Sequence, residues 1–214
     1  MERDGAYSNL LLRDALEGFS DPRDKAFATE LVYGVLQNKR YLDYAIDTFA
    51  KIKTKKMAYD VLNILRVAAY QILLLDRVPD SAAVNEGVKL AKRLAGDRSG
   101  AFVNGIARAL CLHKGEIVFP GGEEGLATRY SFPEWMLPIY REACGGDCEE
   151  LLRHFNEPPK LCLRINRLRT SRERLLAYFK ERGVAASCSP LCDDALLCGG
   201  FSIAADRAYQ EGLY

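Results

Sequence analysis

Residues 78–96 read VPDSAAVNEGVKLAKRLAG, and their reading decides the fold. A proline ahead of the start and Gly96 as a stop delimit a single helix. Its apolar face is Val84, Val88 and Ala91, and its outer face carries Lys89, Lys92 and Arg93. Working upstream, residues 57–75 are the most apolar in the chain. Val61, Leu65, Ala68, Ile72 and Leu75 form one stripe, widened by Leu62, Ala69 and Leu73. A helix apolar over so much of its circumference belongs in the middle of a bundle. Earlier still, Leu42, Ile46 and Phe49 mark a short helix, and Phe27, Leu31 and Val35 mark a longer one. Asp21-Pro22 is a start signal for the longer one, an acid to cap free amides and a proline suited to the first helical position. Residues 7–17 supply a helix with Leu10, Leu11 and Leu12. Downstream of the deciding stretch, Phe102, Ile106 and Leu110 define a last helix. Six helices with short connections and no strand pattern predict an all-α bundle.

The stretch GEIVFPGGEEG at 115–125 breaks this pattern and divides the chain into an expected helical domain, 1–115, and a second domain, 116–214. In the second, YSFPEWMLPIYREACGGD predicts a helix from near Pro133 to Cys144-Gly145-Gly146. Asp147 would then cap a short helix reaching Phe155. LCLRIN at 161–166 alternates, with Leu161, Leu163 and Ile165 on one side and Cys162, Arg164 and Asn166 on the other, the signature of a half-buried strand. Thr170 and Glu173 fit a capping box opening a helix with Leu175, Leu176 and Phe179 inward and Gly183 at its end. Residues 184–188 and 195–198 are further strands. The second domain is therefore small and α+β, and the fold class is mainly α.

Composition excludes several classes. Apolar residues are 49% and charged residues 28%, the balance of an ordinary globular protein. Nothing approaches the length of apolar run a membrane span needs, and the start mixes acids with bases and has no small-residue cleavage site, so it is not a secretory signal. The expected compartment is the cytoplasm. Seven cysteines, an odd number, read as free thiols in a reducing compartment. Cys144/Cys148 and Cys188/Cys192 have loose ligand spacing, but no C-x-x-C occurs and only His113 and His154 could add imidazole. Buried free thiols are expected, and no metal. No catalytic constellation emerges: there is no G-x-G-x-x-G, no Walker-type loop and no H-E-x-x-H. GGDC and PGGEEG read as turns.

Charge is more informative in its distribution than in its total of +1. Residues 121–157 carry three bases against eight acids, and residues 158–185 carry eight bases against two acids. Arg164, Arg167, Arg169, Arg172, Arg174 and Lys160 lie on the predicted strand, the turn after it and the first turn of a helix. Arg172 and Arg174 would sit at the positive end of that helix, a placement an anion held nearby would explain. Arginine forks match phosphates and stack on exposed bases. A solvated surface paired with the acidic 121–157 block accounts for the same pattern, and both readings stand at this point. Lys51, Lys53, Lys55 and Lys56 read as a charged interhelical loop, and Lys92 and Arg93 as the outer face of an amphipathic helix.

The motifs carry a resemblance. VPDSAAVNEGVKLAKR followed by FVNGIARAL resembles the signature of the NusB-type fold, and DKAFATELVYGVLQNKRYLD resembles its upstream helices. RYSFPEWMLPIY, NEPPKLCLRINRLRTSRERLLAYFKERGV and FSIAADRAYQEGLY then resemble, in order, elements of the bacterial small-subunit rRNA cytosine-C5 methyltransferases of the Sun/Fmu type. That family's resemblance implies covalent catalysis: a cysteine thiolate adds to C6 of a cytosine, and C5 takes a methyl group from S-adenosylmethionine. It also implies that the catalytic cysteines and the cofactor loops belong to a Rossmann-like domain beyond position 214. No cysteine here is assigned a catalytic role, and no cofactor site is expected in this chain. The expected partners are ribosomal RNA and that missing catalytic domain. Arg164, Asn166, Arg167 and Arg169 are the preferred RNA contacts, with Lys92 and Arg93 as further candidates. For Arg164 and Asn166 the alternative is a structural role, holding the strand to the missing domain. The YSFPEW aromatics read as interdomain packing. The competing functional reading is a NusB-type antitermination module that binds RNA and protein without catalysis.

Overall fold

The computed structural model describes residues 7–146 and 148–214. Within it the chain forms two compact units, Met1–His154 and Phe155–Tyr214.

The first unit begins with the six expected helices: α1 (Ser8–Leu16), α2 (Pro22–Gln37), α3 (Lys39–Phe49), α4 (Tyr59–Leu74), α5 (Asp80–Ala95) and α6 (Asp97–His113). The wide apolar stripe puts α4 at the centre, where it packs on α2, α3, α5 and α6. Leu65 and Ala69 are fully buried there, with Ala68 and Ile72 nearly so. Each large side chain so buried contributes roughly 1.5–3 kcal/mol. The signal at Asp21 works as read: its carboxylate accepts from the amide of Arg23 at 2.8 Å, and Pro22 occupies the first helical position. α2 packs close to α4 because Gly34 has no side chain. A Cβ there would run into the Tyr70 ring. One charged joint is buried in this unit. Arg66 is bound by Asp43 through two 2.7 Å hydrogen bonds, Nε to Oδ1 and Nη2 to Oδ2, and also donates to Asn63 at 3.1 Å.

Beyond α6 the glycine-bearing break lies inside the first unit rather than at its edge. Phe119 stacks on Tyr41 and Tyr44 with centroids 5.7 and 5.5 Å apart, and the Tyr44 hydroxyl donates to the Val118 carbonyl at 2.6 Å. The segment is thereby pinned to α3. The stretch PGGEEG, read as a turn, is overturned from its third residue on: residues 122–125 open helix α7 (Gly122–Tyr130). Gly125, weak as a helix former, is required there because the Pro120 carbonyl lies where a Cβ would be. Helices α8 (Met136–Cys144) and α9 (Glu149–Asn156) follow. α8 begins later than Pro133 because Pro133 and Glu134 form a turn, the Met136 amide donating to the Pro133 carbonyl at 3.1 Å. The expected cap at Asp147 lies outside the described residues.

The second unit contains β1 (Leu161–Arg164), α10 (Arg172–Glu181), β2 (Ala186–Cys188), β3 (Ala195–Cys198) and the short α11 (Arg207–Gln210). The sheet order is β1-β3-β2 with both pairings antiparallel, Leu163 opposite Leu196 and Ala186 opposite Cys198. β1 and β2 therefore run parallel, joined by the α10 crossover. The core is Leu163, Ile165, Leu175, Phe179 and Leu196, the apolar alternation read from the sequence.

Three expectations are corrected. β1 ends at Arg164, so Ile165 and Asn166 open the turn. The cap of α10 is Ser171, whose Oγ accepts from the Arg174 amide at 3.3 Å. Ser171 is the cap because its carbonyl accepts the first helical bond, from the Leu175 amide at 3.2 Å, while Thr170, its amide bonded to the Asn166 carbonyl at 3.0 Å, belongs to the preceding turn. Of the seven free cysteines, only Cys148 and Cys198 are buried, while Cys144, Cys162, Cys188 and Cys192 are exposed. Cys144 stands at the end of α8 in the first unit, while Cys162, Cys188 and Cys192 stand on the outward side of β1, at the end of β2 and in the turn before β3.

Candidate nucleic-acid interface

The arginine-rich passage of the second unit is a braced turn. Asn166 shapes it: Oδ1 accepts from the Leu168 amide at 3.2 Å, and its carbonyl accepts from the amides of Arg169 and Thr170 at 2.9 and 3.0 Å. The other half of the Asn166 amide reaches the chain's last residues, Nδ2 donating to the Gly212 carbonyl at 2.8 Å. The Asn166 backbone amide donates to the Leu213 carbonyl at 2.9 Å. Arg169 adds a 2.6 Å bond from Nη1 to the Glu211 carbonyl. Arg167 Nε contacts Asp194 Oδ1, a buried oxygen without another partner. Arg172 lies 3.6 Å from Asp193 and 3.9 Å from Glu173.

The sequence candidates therefore separate. Arg164 is exposed, with no partner among the described residues. Asn166, Arg167 and Arg169 are engaged in holding the turn. The anion expected at the start of α10 is supplied by the chain itself, through Glu173 and Asp193. Hydrogen bonds from its own backbone amide and from Ser171 hold the Glu173 carboxyl below its ordinary range. Arg174, on the same first turn, is exposed with a free guanidinium among the described residues.

Behind the turn sits a buried carboxylate. Asp206 accepts from the hydroxyls of Tyr178 at 2.8 Å and Tyr214 at 2.7 Å, with Arg182 Nε at 3.6 Å. Burial alone would raise its pKa, but the hydrogen bonds from Tyr214 and Tyr178 and the Arg182 charge bring it below the ordinary value. The same contact, together with burial, pushes the Tyr214 hydroxyl upward. This joint and the Asn166 bonds fix residues 206–214 against β1 and α10.

In the first unit, Lys92 is 3.8 Å from Asp97, a loose exposed pair, and Arg93 is exposed without a partner among the described residues. Sequence reading did not single out Arg98 and Arg108, exposed and similarly unpartnered on α6. Their signal was the helical spacing of positions 98, 101, 105 and 108, which puts both on one side. A cleft of about 730 Å³ in this unit is lined by Lys39, Arg40 and Lys55 but also by Asp43, Asp47, Glu124 and Glu134. Acids outnumber bases there, so it is unsuited to phosphate.

The strand-to-helix passage that bears glycines among the described residues, Gly199-Gly200, leads into the four-residue α11, headed by the buried Asp206 carboxylate. Such a helix end offers no anion cradle. No three His, Cys, Asp or Glu side chains gather as a metal site among the described residues. Among them, too, no helix is long and apolar enough to cross a membrane.

Comparison with known proteins adds to this geometry. Residues 1–111 match the NusB family, and residues 132–200 match the ferredoxin-like domain of RsmF/B-like methyltransferases. The chain is 35% identical to the probable ribosomal RNA small subunit methyltransferase B of Bacillus subtilis, over 99% of its own length and 48% of the relative's. With the protein of that name from Synechocystis it shares 33%, over 94% of this chain and 46% of the other. The chain thus spans about half the length of these relatives. Transcription antitermination protein NusB of Bifidobacterium longum is 40% identical over 89 residues, 41% of this chain and 47% of its own. Among solved structures, PH0851 has a TM-score of 0.65 at 17% identity, covering 94% of this chain and 46% of that one, which is a likeness of fold.

Proposed function

From the premise that this chain belongs to the NusB family, with a methyltransferase-type ferredoxin-like domain behind its bundle, we propose that it is the RNA-binding, substrate-positioning N-terminal part of a small-subunit rRNA (cytosine-C5) methyltransferase. What carries the reading is the continuity of the methyltransferase likeness along 99% of the chain, against 41% for an antitermination protein. An antitermination module leaves the β1–α10–β2–β3 unit without a purpose.

In this reading the bundle, 1–115, and the segment 116–214 grip ribosomal RNA in the cytoplasm. A further domain supplies S-adenosylmethionine binding and the nucleophilic cysteine. Phosphate contacts position the RNA, while the target cytosine is presented elsewhere. Of the sequence candidates, Arg164 and Arg93 are the readiest contacts, because no group among the described residues occupies their guanidinium edges. Lys92 joins them by giving up a weak exposed pair, which is worth little. Arg167 and Arg169 contact RNA through the N–H groups that bracing leaves over, and Asn166 acts through the turn it shapes.

The test is titration of a small-subunit rRNA fragment at rising salt. Contact with roughly four to six phosphates gives a log–log slope of about −3 to −5. No binding, or a flat salt dependence, overturns the RNA reading. Calorimetry with S-adenosylmethionine should show no saturable binding to the chain. Micromolar binding would overturn the assignment of the cofactor to a further domain.

A further inference from the structure

The two most exposed large apolar side chains of the second unit are Leu168, 97% exposed, and Leu191, 94% exposed. Each stands at the apex of a turn capped in the same way. The Leu168 amide donates to Asn166 Oδ1 at 3.2 Å, and the Leu191 amide donates to Ser189 Oγ at 3.2 Å. The two turns are also tied together. Arg167 contacts Asp194, Arg172 lies 3.6 Å from Asp193, and the Ile165 amide donates to the Asp194 carbonyl at 2.7 Å. Two leucines thus stand in water on turns that are tied to one another. Scattered exposed leucines need no explanation, but a pair on braced, connected turns is an anchor whose backbone is already ordered.

We infer that Leu168 and Leu191 form an apolar tip that packs against the faces of unpaired bases in the RNA, an inference that rests on the RNA-binding reading above. Charge favours RNA as the occupant. Residues 158–185 carry eight bases against two acids, and Arg164 and Arg174, unpartnered among the described residues, flank the Leu168 turn in sequence; the acids after Leu191, Asp193 and Asp194, are paired with Arg172 and Arg167. A phosphate backbone drawn to those two arginines brings bases to Leu168 between them, and Leu191 stands on the turn tied to that one through Asp193 and Asp194. A base face is open to apolar contact only where the strand is unpaired, since stacking covers it inside a duplex. The tip therefore selects a loop or bulge, while the arginines bind any backbone.

The test compares a hairpin RNA with a single-stranded loop and a blunt duplex of the same stem, by fluorescence anisotropy on the whole chain. Leu168→Ala with Leu191→Ala should weaken binding to the looped RNA about tenfold and leave the duplex unchanged. The salt slope should not move, because no charge is removed. Both side chains being exposed, the melting midpoint should stay where it is. Leu168→Phe with Leu191→Phe should bind the looped RNA at least as tightly as the parent, since aromatic rings stack better on bases. Equal loss on both RNAs, or no loss on either, overturns the tip. The second result would leave the leucines to a protein contact and the RNA reading intact. A parent chain that binds neither RNA overturns the reading itself.

Discussion

The two units reach stability by different means. In the first, α4 lies among four other helices and the core is broad and apolar, with the Asp43–Arg66 pair as its buried charged joint. The second has 60 residues and a much smaller apolar cluster around Phe179. It is closed by polar joints: Asp206 between two tyrosines, and Asn166 bonded to the chain's last residues. Small domains bury a smaller fraction of their surface, so each specific bond carries a larger share of a marginal total. The bracing also explains why the second unit can present arginines and leucines on turns without losing their geometry.

Substitutions test this difference between the units. The largest effect is expected in the broad core. Leu65→Ala should cost about 4 kcal/mol, read by denaturant titration, and should open amides in α3 and α4 to hydrogen exchange. Asp206→Ala should cost about 3 kcal/mol, because it strands two tyrosine hydroxyls and removes the partner of Arg182. Its exchange signature should appear in β1 and β3. A loss under half a kcal/mol would show that the apolar cluster alone holds the second unit. The same carboxylate makes a pH prediction. Its folded pKa lies below the ordinary value of 3.8, so its contribution is complete above that pH and is lost as pH falls through the folded pKa. The parent should therefore lose stability on acidification that Asp206→Ala has already lost, so their melting midpoints converge at low pH. Asn166→Ala should cost about 1.5 kcal/mol and loosen residues 212–214. Smallest for stability is Arg164→Ala, within about 0.5 kcal/mol, although it should reduce the salt slope of RNA binding by about one.

Much of the helical unit was legible because its signals are local. The Asp21-Pro22 start, the Gly96 stop and the stripe through Val61, Leu65, Ala68 and Ile72 depend on spacing along one helix. Helix α7 was not legible, since Gly125 argues against a helix unless the Pro120 carbonyl is known to press on it. The cap of α10 was misplaced by one residue for a related reason. Thr170 and Ser171 are both suitable caps in isolation, and the choice is made by the Asn166 turn, which takes the Thr170 amide.

The candidate interface shows the same division. Sequence identified the arginine cluster and left open whether it meets a phosphate or the acidic block beside it. Which arginines are engaged was decided by Asp193, Asp194 and the Glu211 carbonyl, between 21 and 42 residues away along the chain. Sequence alone was enough for the six helices of the bundle, the alternation of β1 and the resemblance to a methyltransferase, all properties of short-range order. Only the tertiary structure decided that Asn166, Arg167 and Arg169 brace the turn while Arg164 and Arg174 remain available, and that Leu168 and Leu191 stand on neighbouring apices. Those outcomes depend on which distant acids and carbonyls the folded chain brings to each guanidinium, and no periodicity along the chain encodes that.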